Sequence, residues 1–188
     1  MYRLAARSAL LALLALFCVN SPALCDPYDM NEIKFGVLAH DISFLGHGKE
    51  SGEDINGEFL LKSPSFLSYI WSPRPHIGVD INTDNETSNG YIGLTWTIPL
   101  LTRIIGHRDG LYIDLSEGPS INNGIINTQN SGRKSLGSNV LFRESFSLGY
   151  NLDEIHDVSL FLDHISNARL AERNEGITSV GARIGYKF

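Results

Sequence analysis

The sequence predicts an all-β fold, an eight-stranded antiparallel up-and-down transmembrane β-barrel. Three observations predict it. Eight segments alternate apolar and polar residues or are rich in β-branched and aromatic ones, with turn residues between them. No run of about 18 apolar residues follows Cys25, so no spanning helix is expected. The chain ends on an alternating strand that carries Tyr186 and Phe188.

Residues 1–25 read as a secretory signal peptide, followed by a barrel domain over 26–188. Arg3 and Arg7 give the positive start, Leu10–Phe17 the short apolar run, and Ala23 and Cys25 the small-residue exit for cleavage before Asp26. A lipoprotein start at Cys25 is the rival, and Leu24 stands where such sites want a small residue. Cys18 and Cys25 are the only cysteines, so a chain cleaved after Cys25 has neither a disulfide framework nor thiol chemistry. The formal charge is −6, and removal of Arg3 and Arg7 takes it to −8, which argues against a nucleic-acid partner. A closed barrel is the other way to cross a bilayer, because every backbone polar group must be paired within lipid.

In chain order the segments are Ile33–Ile42, Ile55–Lys62, Pro75–Ile81, Gly90–Ile98, Leu111–Glu117, Ser138–Tyr150, Asp157–Asn167 and Gly176–Phe188. No helix is expected after the signal. In the last segment Thr178, Val180, Ala182, Ile184, Tyr186 and Phe188 share one face, while Ser179, Gly181, Arg183 and Lys187 take the other. The sixth repeats this, with Val140, Phe142, Phe146 and Leu148 opposite Arg143, Ser145 and Ser147. A water-soluble sandwich has the same periodicity. The aromatic strand ending, which resembles the assembly signal of bacterial outer-membrane barrels, favours apolar side chains towards lipid. Both termini then lie on the periplasmic side, and Pro119–Gly137 becomes a long external loop. The turn Pro99–Gly110 is long for a periplasmic one.

The segment Asp163-His164-Ile165-Ser166-Asn167-Ala168 holds the candidate site. Residues i and i+2 of a strand share a face, so His164 and Ser166 point the same way, towards lipid. Polar side chains there are costly unless they are used. An ester hydrolase needs a hydroxyl nucleophile, a base within reach and a group that orients the base. Ser166 and His164 supply the first two. The spacing alone is weak, and an interfacial His164 beside a strand-ending Ser166 is the bland alternative. The remaining histidines show no metal-ligand spacing, and neither a metal nor a cofactor is expected.

Phe161–Ala168, then Leu170, Asn174, Gly176, Gly181 and the ending Gly185-Tyr186-Lys187-Phe188, resembles the lipid A 3-O-deacylases of the PagL type, also called the acyloxyacyl hydrolase family. Upstream, Phe66–Asn82 and Tyr91–Thr97 resemble it more softly. The resemblance implies an eight-stranded outer-membrane barrel that removes an ester-linked acyl chain from lipopolysaccharide without a cofactor. It implies Ser166 as nucleophile, His164 as general base and Asn167 at the oxyanion site. It leaves a homo-oligomer open. A non-catalytic barrel that stabilises the membrane or binds a partner through its outer loops is the alternative.

The chain departs from that pattern at two places. Thr178 stands where better-known members carry a glutamate, and Arg169 where they carry glycine. Strand pairing offers another acid. A hairpin of strands six and seven turning near Glu154 puts Glu144 opposite His164, on a face otherwise made of Val140, Phe142, Phe146 and Leu148. A carboxylate facing hydrocarbon usually marks a site. Glu144 is therefore expected within hydrogen-bond range of the imidazole, with Glu175 and Glu172 as alternatives, and a dyad without an acid or a loss of activity as the remaining ones. A turn near Glu172 would put Ser166 opposite Thr178. Asp163 points the other way and is expected in an interior cluster with Arg143 and Arg183.

Overall fold

The computed structural model describes residues 29–43, 47–106 and 109–188. The expected signal peptide lies outside the described residues. Eight strands follow one another: β1 (Glu32–Ala39), β2 (Glu53–Leu60), β3 (Arg74–Asn82), β4 (Asn89–Thr102), β5 (Gly110–Asn122), β6 (Val140–Asn151), β7 (His156–Ser166) and β8 (Ile177–Lys187). Each pairs antiparallel with the next, and β8 closes on β1. The eight-stranded antiparallel barrel is as expected from the eight segments and the aromatic strand ending. On β6, Phe142, Glu144, Phe146 and Leu148 are exposed on the outer wall, while Arg143, Ser145 and Ser147 are buried in the lumen.

Three local expectations are corrected. The long turn from Pro99 is mostly hairpin: β4 runs on to Thr102 and β5 begins at Gly110, with a bulge between Pro99 and Leu101 absorbing the irregularity. The long loop starts after Asn122, because β5 continues through Pro119. Proline has no N–H to give, and the β4–β5 ladder is interrupted there, between Tyr91↔Ser120 and Leu94↔Glu117. A short 3₁₀ helix, Ser65–Ile70, fills the β2–β3 connection where no helix was expected.

The strands are steeply sheared. Cross-strand partners followed once round from Gly110, through Asn151, Asp157, Gly185, Lys34, Glu58, Gly78 and Tyr91, return to β5 at Ser120, ten residues nearer the loop end. A row of partners thus climbs towards the loops from β4 to β8, as strand tilt in a closed barrel requires.

Polar and aromatic side chains fill the lumen. Arg143 Nε lies 2.7 Å from Asp163 Oδ1, and Arg183 Nη1 lies 3.1 Å from Glu58 Oε1. Glu58 links the two arginines, since Arg143 Nη2 is 3.6 Å from its other oxygen. The guanidinium of Arg143 stacks 3.4 Å from the Tyr91 ring centre, and that of Arg183 3.6 Å from Phe161. The expected interior cluster is present, and Glu58 is the member that alternation alone did not single out. Asp163→Asn leaves Arg143 buried with one anion fewer, a change that typically costs about 3–5 kcal/mol. Its urea midpoint should fall sharply while turnover falls little. A variant as stable as the parent but inactive would move Asp163 from the packing to the chemistry.

The loop end is closed by a knot around Glu50. Its carboxylate accepts hydrogen bonds from Thr87 N at 3.0 Å, Lys134 N at 3.0 Å and Arg133 Nε at 3.1 Å, tying three loops together. His40 lies between Asp54 (2.8 Å) and Glu50 (3.3 Å). Burial works against its charged form, but the two carboxylates prevail and raise its pKa to about 9 from an ordinary 6.5. A raised folded pKa means the contribution is whole below pH 6.5, declines as pH rises and is gone above about 9. The thermal midpoint of the folded barrel should slope downward across that window. His40→Gln should flatten the slope, and an unchanged slope would remove His40 from the account.

Candidate active site

Ser166 is the last residue of β7, and its neighbours explain why that end is held firmly. Ile165 and Ile177 turn inward and pack with Leu136 and Leu141 in a buried cluster beneath the long loop. The outward side chains of the same stretch, His164 and Ser166, are half-buried and line one groove of about 550 Å³. Glu144, Glu117, Phe142, Leu94, Trp96 and Ala168 line it with them.

The β6–β7 register places Glu144 opposite His164 and Phe142 opposite Ser166. Glu144 therefore faces outward beside the imidazole, as the hairpin arithmetic predicts. The expected hydrogen bond between them is not made: among the described residues Glu144 has no hydrogen-bond or ion-pair partner. The β7–β8 register differs from expectation by two residues, so Thr178 faces His164 rather than Ser166. Thr178 is buried, and its Oγ1 lies 2.8 Å from His164 Nδ1. An Nδ1–H donated to that oxygen leaves Nε2 with its lone pair, the tautomer a general base needs. Sequence reasoning missed this contact because a turn centre displaced by one residue moves every cross-strand partner by two. Gly176 completes the surround: a Cβ there would lie 2.8 Å from His164 Cε1, so any side chain would displace the ring.

Asn167 is placed next to Ser166, as the sequence requires, and is buried. Its side-chain amide donates to Leu136 O at 2.8 Å and Arg173 O at 2.5 Å, and its Oδ1 accepts from Arg169 N at 2.9 Å. These bonds fix a tight turn, closed by Leu170 N donating to Asn167 O at 3.0 Å. Ala168 and Arg169 both take positive φ, 52° and 65°, in that turn. Arg169 thus occupies a conformation that glycine adopts without strain. Of the alternative acids, Glu175 accepts from Lys49 Nζ at 2.6 Å and Ser135 N at 2.7 Å, which hold it in the loops, and Glu172 is exposed. Among the described residues no group of three or more His, Cys, Asp or Glu could hold a metal ion.

A closed barrel with an apolar outer wall, and a polar groove that holds Ser166 and His164 cut into that wall, defines a transmembrane β-barrel. The model of the lipid A 3-O-deacylase (PagL) family matches residues 68–187, and the chain belongs to that family. A crystal structure of the outer membrane enzyme PagL superposes with a TM-score of 0.59 at 15% identity, over 84% of this chain and 99% of that one. The N-terminal β-barrel domain of Pseudomonas aeruginosa OprF gives 0.55 at 13%, over 85% and 98%. At these identities both show the fold alone. No curated protein sequence matches. Family and barrel together indicate the bacterial outer membrane.

Proposed function

We propose that this protein hydrolyses an ester-linked acyl chain of lipid A in the outer leaflet, with Ser166 as nucleophile and His164 as general base. One observation carries the reading: in a member of a lipid A deacylase family, Ser166 and His164 line a single lipid-facing groove with Thr178 fixing the ring through Nδ1. Ser166 Oγ attacks the ester carbonyl while His164 Nε2 takes its proton. The imidazolium that forms is stabilised by the Glu144 charge on the adjoining strand and by the Thr178 oxygen. His164 then protonates the departing sugar oxygen, and water, activated by the same nitrogen, releases the fatty acid from Ser166. Asn167 serves the oxyanion site by clamping the turn whose Ala168 lines the groove beside Ser166.

The reading also takes the mature chain to begin near Asp26 and the loop end to face outward, which sets His164 and Ser166 near the sugar–acyl boundary. The test is a mass spectrum of lipid A from cells with and without the protein. Loss of one acyl chain is expected, and an unchanged spectrum would leave the non-catalytic barrel.

A further inference from the structure

Glu117 lies in the same groove, and the chemistry above does not use it. A row of cross-strand partners runs Leu94–Glu117–Glu144–His164 across β4 to β7. On β5 the outward neighbours of Glu117 are Leu115 and Pro119, so it interrupts an apolar stripe. It is exposed, and among the described residues it has no hydrogen-bond or ion-pair partner. A carboxylate on a lipid-facing wall is expensive, and a second one directly opposite adds repulsion. Glu144 has its place beside the imidazole, which leaves Glu117 unexplained.

The groove gives the missing partner its chemistry. Phe142 and Pro119 form an apolar rim on the loop side. Trp96 ends the groove, its indole N–H held by Ile70 O at 2.9 Å. Between them the floor is acidic. The climb of the rows towards β8 sets Glu117 farther from the loop rim than His164. With the ester at Ser166 near the sugar–acyl boundary, Glu117 meets the substrate on the acyl side of that ester. A donor in that region is a hydroxyl on an acyl chain or the N–H of an amide-linked chain.

We propose that Glu117 is a specificity-determining residue that accepts a hydrogen bond from a hydroxyl or amide N–H in the acyl region of the substrate. The inference rests on the hydrolase reading for the placement of the substrate, and its test reads binding without turnover. The chain has two tryptophans, Trp71 and Trp96, so removing the first leaves a single reporter at the groove. In full-length Trp71→Phe/Ser166→Ala protein, Trp96 fluorescence reports ligands entering the groove. The probes are glucosamine lipids that differ only in a β-hydroxyl on the ester-linked chain, or only in an amide against an ester at the second chain.

One of the two pairs should show about 10- to 100-fold tighter binding of the donor-bearing lipid. Glu117→Leu should erase that preference, and Glu117→Gln, which keeps one acceptor, should retain part of it. The pair that responds identifies the donor. Heat-modifiable migration checks that each variant is folded. A preference that survives Glu117→Leu overturns the proposal, as does equal weakening of every lipid or, before the substitution, no preference on either pair. Binding that discriminates in a protein whose parent hydrolyses nothing would sink the hydrolase reading and leave Glu117 as a lipid-recognition residue.

Discussion

Ser166→Ala should abolish deacylation, with a loss on the order of 10⁴-fold or more in kcat. No other outward side chain of β7 near His164 carries a hydroxyl: Leu162, Leu160 and Val158 precede it on that face. Thr178 does not substitute for the serine, because its Oγ1 is taken up with Nδ1, on the far side of the ring from the nitrogen that must accept a proton. His164→Asn should be about as damaging, and the double variant little worse than either, since nucleophile and base act as a unit. Both should remain heat-modifiable barrels, because the cluster that holds this end of β7, Leu136, Leu141, Ile165 and Ile177, faces inward and is untouched. The measurement is released fatty acid from purified lipid A. Retained activity in a folded Ser166→Ala barrel would move the nucleophile elsewhere.

The strands were legible because alternation or β-rich composition marks each of the eight, and the aromatic strand ending, not the periodicity, separated a barrel from a sandwich. Large inward side chains such as Tyr91, Tyr112 and Phe161 blur the alternation. Strand ends were harder. Pro99 and Pro119 both look like breakers, yet a bulge accommodates the first and a local gap in the ladder the second. Within the candidate site, Glu144 opposite His164 followed from a short hairpin, where one turn position fixes the register. The β7–β8 connection is ten residues long, from Asn167 to Gly176, and its centre is not fixed by composition. Thr178 was therefore placed two residues away from its true partner. The use of Asn167 as a clamp was not legible either, since its acceptors, Leu136 O and Arg173 O, come from loops that local patterning does not position.

Glu144→Gln should leave folding intact and lower kcat by roughly ten- to ten-thousandfold, the range spanned by orienting and charge-balancing carboxylates of other triads. The lower part of that range is expected here. Glu144 is not hydrogen-bonded to the resting ring, and Thr178 already holds Nδ1, so the tautomer survives its loss. On the proposed mechanism Glu144 supplies negative charge on the adjoining strand when the ring becomes an imidazolium, beside the outward apolar side chains Phe142, Phe146 and Leu148. Thr178→Val should remove the ring's anchor instead, lowering kcat through disorder of the base. Thr178→Glu would restore the acid that the family resemblance places at this position. Because Thr178 is buried and its Oγ1 already touches Nδ1, the ring must shift to seat it, and kcat should be raised or preserved. The two acids then become redundant: in the Thr178→Glu background, Glu144→Gln should cost much less than in the parent. The coupling from that four-member cycle is the decisive quantity. Additive effects would mean that Glu144 does not act through His164, and a silent Glu144→Gln in the parent would leave the Thr178 hydroxyl as the sole support of the base.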